Sequence, residues 1–137
     1  MPGASFAGAS LLAPLSQAEE AHDALLRADL GRADSVTQFG IAAGFASSFA
    51  SDVVYLRGGL PIVRGRAAVE AIATAGTNAA GTAMRWQPVR AEASADGSTG
   101  YSYGYAVYST PGVALPTIRL DRYIAFWRRE AAGWKVA

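Results

Sequence analysis

The stretch DRYIAFWRREAAGWKVA, residues 121–137, closes the chain. Its apolar and polar residues alternate with a period of two, pause from Glu130 to Gly133, and resume in WKVA. That pattern reads as a long strand turning back into a short last one, an antiparallel hairpin. Gly133 permits the turn, and Trp127 and Trp134 stand where they can close a core. The long strand is predicted from Ile118 to Arg129. Arg119, Asp121, Tyr123 and Trp127 fall on one side of it, and Ile124 and Phe126 on the other. A strand apolar on both faces calls for two coverings: helices on one, a second subunit on the other.

Working back from this hairpin, the period of two persists. Met84 to Ser94 and Ser98 to Thr110 read as two further strands, with Asp96-Gly97 as the turn between them. An Asp-Gly pair flanked by alternating sequence is the strongest short-range hairpin signal. A two-residue turn places Ala93 opposite Gly100, Ala91 opposite Ser102 and Val89 opposite Gly104. Glu92 then stands beside Tyr101, and Arg90 beside Tyr103. One face of this hairpin is small. The other is aromatic and charged, and carries the stripe Tyr101, Tyr103, Tyr105.

The first half of the chain is helical. Ser16 followed by Glu19 forms a capping box, so a helix is expected from there to about Val36, weakened or bent at Gly31. Ala18, Ala21, Leu25, Leu26 and Leu30 supply its apolar side. A second helix is expected from Thr37 or Gln38 through Phe49, with Ile41, Phe45 and Phe49 spaced four apart. VVYLR (53–57) reads as a short strand, Leu60 to Val63 as another, and GRAAVEAIATA from Gly65 as a compact helix. Helices first and an antiparallel meander afterwards make an α+β fold, with helices packed on one face of a curved sheet.

Composition narrows the function. The 137 residues suit one domain, expected over 16–137 behind an N-terminal arm over 1–15. No Lys or Arg precedes Arg27, so the apolar arm lacks the positive start of a secretory signal, and a cytoplasmic location is favoured over a periplasmic one. Twelve basic and 11 acidic residues leave a net charge of +1, which offers no broad field for nucleic acid or an anionic membrane. The chain has no cysteine and a single histidine, His22. Thiol chemistry is therefore excluded, and so is a multi-histidine metal site within one chain. No G-x-S-x-G, G-x-G-x-x-G or phosphate-binding loop is present. The expectation is a domain without metal or cofactor.

The closing hairpin, RYIAFWRRE followed by GWKVA, resembles that of the SnoaL-like, nuclear-transport-factor-2-like superfamily, and within it the small bacterial domains related to ketosteroid isomerase. ALLRAD (24–29), FASSFASDVVYLRGGLPIVRGRAAVEAI (45–72) and ADGSTGYSYGYAVY (95–108) match in order and spacing. The resemblance covers most of residues 18–137. It implies a cone-shaped, cystatin-like α+β fold whose N-terminal helices pack on the concave face of a curved sheet and enclose a pocket for a small organic ligand. Members include isomerases, cyclases, dehydratases, epoxide hydrolases and proteins with no known activity, so the fold alone selects no chemistry.

On that resemblance, Asp29 in RAD is the candidate base, and Tyr55, Asp121 and Tyr123 are candidate ligand-binding or orienting groups. Each has a plainer alternative. Asp29 serves equally as a buried hydrogen-bond acceptor, Asp121 as the ion-pair partner of Arg119, Tyr123 as core, and His22 as an exposed residue near a helix start. The tyrosine stripe with Ile124 and Phe126 is expected to form a homodimer interface on the outer sheet face. The rival to a ligand-binding enzyme is accordingly a non-catalytic association domain.

Overall fold

A computed structural model describes residues 15–77 and 81–137. Apart from Leu15, the expected N-terminal arm lies outside the described residues.

Helix α1 (Gln17–Phe39) begins at the capping box read from the sequence: the Glu19 N–H donates to Ser16 Oγ at 3.2 Å and the Ser16 N–H to Glu19 Oε2 at 2.8 Å. Its buried stripe is Ala21, Leu25, Asp29, Ala33 and Val36, a spacing of three and four that keeps one face inward. The helix runs through Gly31 unbroken and three residues past its expected end. Gly31 lies on the exposed side, where a missing side chain costs propensity but no packing. The break comes at Gly40, whose φ of 86° is a left-handed value that glycine adopts without steric cost.

Helix α2 (Ile41–Ala46) stops well short of the expected Phe49. The backbone after it is claimed by the chain terminus: the Val136 N–H donates to Ser48 O at 2.8 Å and the Ala50 N–H to Val136 O at 2.8 Å. Ile41, Phe45 and Phe49 nevertheless all point into the core. Strands β1 (Val54–Tyr55) and β2 (Val63–Arg64) pair antiparallel, Tyr55 opposite Val63. The second sits later than expected, beyond Pro61, which has no N–H for a ladder. Helix α3 (Arg66–Thr77) follows and buries Val69 completely.

The main sheet is a meander in the order β3 (Ala83–Ala93), β4 (Thr99–Thr110), β5 (Thr117–Glu130) and β6 (Gly133–Val136). Ala93, Ala91, Glu92 and Arg90 face Gly100, Ser102, Tyr101 and Tyr103 as read from the sequence. Two details differ. The turn is a four-residue loop, closed by the Ser94 N–H to Thr99 O at 2.9 Å. It is wide because Asp96 gathers Ser94 Oγ at 2.6 Å, Ser98 Oγ at 2.8 Å and the Ser98 N–H at 3.0 Å. Further along, Pro88 rather than Val89 faces Gly104, because Val89 is the extra residue of a bulge.

The inner sheet face carries Trp86, Ala91, Ala106, Ala125 and Trp127, packed against Leu25, Val36, Phe45 and Phe49 from the helices. Small residues at the centre of the strands let α1 approach closely. The last hairpin is held to everything around it: Trp127 Nε1 donates to the fully buried Ser102 Oγ at 2.8 Å, Lys135 Nζ to Ser47 O at 2.6 Å, and Arg128 to Asp52 Oδ1 at 2.7 Å and Glu130 Oε1 at 2.8 Å. Tryptophans and basic residues cluster there because they fasten the chain end to three separate segments.

Candidate functional site

One member of the α1 stripe is a carboxylate. Asp29 is fully buried in a row of alanine, leucine and valine, so it must be met by donors from elsewhere. It is met on both oxygens. Trp86 Nε1 on β3 donates to Oδ1 at 3.0 Å, and the Tyr123 hydroxyl on β5 donates to Oδ2 at 2.7 Å. Three elements of the inner layer, α1, β3 and β5, therefore converge on one carboxylate. Trp86 and Tyr123 also touch edge to face, with ring centroids 6.3 Å apart.

Arg32, one turn beyond Asp29 on α1, completes the group. Its side chain is only 10% exposed, and its Nη1 lies 3.9 Å from Asp29 Oδ1, outside hydrogen-bond range. The guanidinium sits 4.6 Å from the ring centroid of Phe45, 4.9 Å from Trp86 and 5.6 Å from Phe49. Burial pulls its pKa below the ordinary arginine range, against the opposing pull of Asp29 and of Tyr123, Tyr108 and Tyr55. Burial, and then the hydrogen bond to Asp29, push the Tyr123 phenol well above the usual tyrosine range. Burial also pushes Tyr108 up. Both phenols are thereby held neutral, as donors.

The residues singled out in the sequence separate into two groups. Asp29 and Tyr123 are in direct contact, and the half-buried Tyr55 packs against the same core and faces Arg32 electrostatically. Asp121 does not join them. It is exposed, pairs with Arg119 at 3.7 Å, and comes no nearer the group than the electrostatic neighbourhood of Tyr108. The edge of the long strand is solvated there, so the plainer alternative describes Asp121. His22 is partly exposed and bonded to Asp23 at 3.0 Å. Trp86, Arg32 and Tyr108 were not foreseen. Arg32 was within reach, since a residue three after Asp29 shares its helix face; Trp86 was not, because no spacing links it to Asp29 across 57 residues.

On the opposite, outer face of the sheet, a recess of about 370 Å³ lies at the bulge, lined by Val89, Tyr103, Gly104, Tyr105, Arg122, Tyr123 and Ile124. It is separate from the Asp29 carboxylate, which lies on the inner side.

Helices packed on one face of a curved antiparallel sheet are the architecture of the nuclear-transport-factor-2-like, cystatin-like α+β domains. The SnoaL-like domain family matches residues 34–137, and the chain belongs to it. A search of curated proteins found no match. Solved structures of similar fold include a ketosteroid isomerase-like protein from Erwinia carotovora atroseptica, 13% identical, covering 86% of this chain and 92% of that one at a TM-score of 0.68. A nuclear-transport-factor-2-like protein with a cystatin-like fold from Novosphingobium aromaticivorans is 20% identical, with coverages of 85% and 76% and a TM-score of 0.63. An LEH-like epoxide hydrolase from Mycobacterium tuberculosis is 12% identical, with coverages of 89% and 78% and a TM-score of 0.59. Identities this low carry the fold and not the chemistry. Among the described residues no helix is long and apolar enough to cross a membrane.

Proposed function

We propose that this domain binds a small, largely apolar organic molecule between α1 and the sheet and acts on it by acid–base chemistry without a cofactor, of the isomerase, cyclase or dehydratase type. The observation that supports this reading is the Asp29–Tyr123 contact: a fully buried carboxylate coupled at 2.7 Å to a phenol that is itself only half-buried. Asp29 is sealed from a ligand, so its basicity reaches one through Tyr123. As a ligand C–H bond breaks, its electron pair stays on the ligand. The proton joins the Tyr123 oxygen while the proton already on that oxygen moves to Asp29. The phenol stays neutral throughout, in keeping with an environment that disfavours phenolate.

The test is deuterium exchange at the α-carbon of a small cyclic ketone, cyclohexanone, followed by proton NMR in heavy water. The full chain is expected to accelerate exchange, and Asp29→Asn to reduce that acceleration ~100- to 10,000-fold. Equal exchange by both proteins would remove the acid–base reading.

A second reading, association, is supported by a different surface. Ile118 (59% exposed), Leu120 (66%), Ile124 (58%) and Phe126 (59%) lie together on the outer face of β5, beside the tyrosine stripe of β4. Contiguous apolar surface of this kind marks an interface. A homodimer through this face leaves the inner site untouched, so the two readings are compatible.

A further inference from the structure

Among the described residues one buried side-chain polar atom meets no hydrogen-bond partner, and it is Nε of Arg32. The rest of the guanidinium is no better served. No hydrogen bond joins Nη1 or Nη2 to the described residues, and the single ion pair, to Asp29, spans 3.9 Å. Asp29 gives its two oxygens to Trp86 and Tyr123 instead. Since Nε alone is both buried and unmet, the two terminal nitrogens border space that water reaches.

The three aromatic rings around Arg32 do not answer this need. A ring face attracts the cation, but the five N–H bonds lie in the guanidinium plane and require oxygen acceptors at its edge. The groups that Arg32 faces electrostatically, besides Asp29, are the phenols of Tyr55, Tyr108 and Tyr123. The guanidinium thus stands between the rings of Phe45, Phe49 and Trp86 with no oxygen within hydrogen-bond range among the described residues. An acceptor-only group with two coplanar oxygens fits such a fork, whereas a single carbonyl oxygen fills half of it.

We propose that Arg32 is a recognition residue for a ligand carboxylate, held in the fork, and that the ligand class is a small aromatic carboxylate. This rests on the reading of the inner layer as a ligand site and adds the chemical group that the ligand presents. The charge balance agrees with it. Burial depresses the guanidinium pKa even with Asp29 nearby, so the cation is under-compensated and a second anion stabilises it.

The experiment uses the full chain with benzoate, benzamide and benzyl alcohol as probes, following the Arg32 Nε–H and Trp86 indole N–H signals by ¹⁵N NMR. Benzoate is expected to shift the Arg32 signal and to bind roughly 10- to 100-fold more tightly than benzamide, the difference expected from charge-assisted hydrogen bonds. Arg32→Lys, which keeps the charge but loses the fork, is expected to lose most of that preference. Equal binding of benzoate and benzamide, or undiminished benzoate preference in Arg32→Lys, would overturn the proposal. If benzyl alcohol shifts Trp86 while benzoate does not, the carboxylate assignment fails and the inner ligand site stands. If none of the three probes moves Trp86, both fail.

Discussion

The hydroxyl of Tyr123 and the carboxylate of Asp29 meet at 2.7 Å although 94 residues separate them in the chain. With Trp86 on the other oxygen, this contact ties α1 to β3 and β5 through a single buried charge. The same group is therefore a structural tie and, on the proposed function, the acceptor of the proton, so substitutions there are expected to move stability as well as any activity.

Asp29→Asn is expected to lower the melting temperature. The amide accepts through one neutral oxygen where the carboxylate accepts through two charged ones, so one of the donors on Trp86 and Tyr123 loses its acceptor, the other keeps only a neutral one, and Arg32 loses its nearest countercharge. The expected loss is about 1–3 kcal/mol. Thermal unfolding measures it without a known substrate. An unchanged or raised melting temperature would show that the carboxylate is held at a cost to the fold.

Ser102→Ala tests the other tie. Ser102 is fully buried, and its hydroxyl is the acceptor for Trp127 Nε1 at 2.8 Å. Removing it leaves the indole N–H unmet in the core, for an expected loss of about 1–3 kcal/mol in denaturant unfolding. Trp127→Phe in the Ser102→Ala background is expected to cost less than the two single losses added together, because the stranded donor is then gone.

Asp96 makes the stability of the β3–β4 hairpin depend on pH. Hydrogen bonds from Ser94 and Ser98 hold its pKa at about 2, below the ordinary 3.8. A folded value below the unfolded one means that the contribution is complete above the unfolded pKa and disappears as pH falls through about 2. Wild-type protein should therefore lose part of its advantage over Asp96→Asn in that acid window and not at neutral pH. Carboxyl titration by NMR, with matched unfolding at each pH, checks both the value and the sign.

The outer face is tested by Ile124→Glu. A charge amid Phe126, Leu120 and the tyrosine stripe is expected to convert a homodimer to monomer in sedimentation velocity, while the fold persists, because Ile124 is 58% exposed within one chain. A wild-type protein that sediments as a monomer at micromolar concentration would remove the association reading.

Much of the architecture was written in local patterns. The capping box at Ser16 and Glu19, the period of two through β4 and β5, and the turn at Gly133 each depend on neighbours a few residues away, and each stands in the structure where the sequence placed it. Resemblance to the SnoaL-like family drew on the order of those same patterns. Asp29 and Tyr123 were visible as candidates, each on its own element, because an ionisable group on an apolar stripe stands out against its neighbours. What tertiary structure alone decided is who meets whom. Strand pairing across Gly104 and the bulge at Val89 belong to the register that brings Tyr123 and Trp86 to Asp29 while leaving Asp121 beside Arg119 in solvent. The end of α2 was likewise set by a terminus nearly 90 residues away, through Ser48 and Val136. Local periodicity fixes which way a side chain faces; only the packing of distant segments determines that a buried carboxylate finds its donors while a buried guanidinium is left without acceptors.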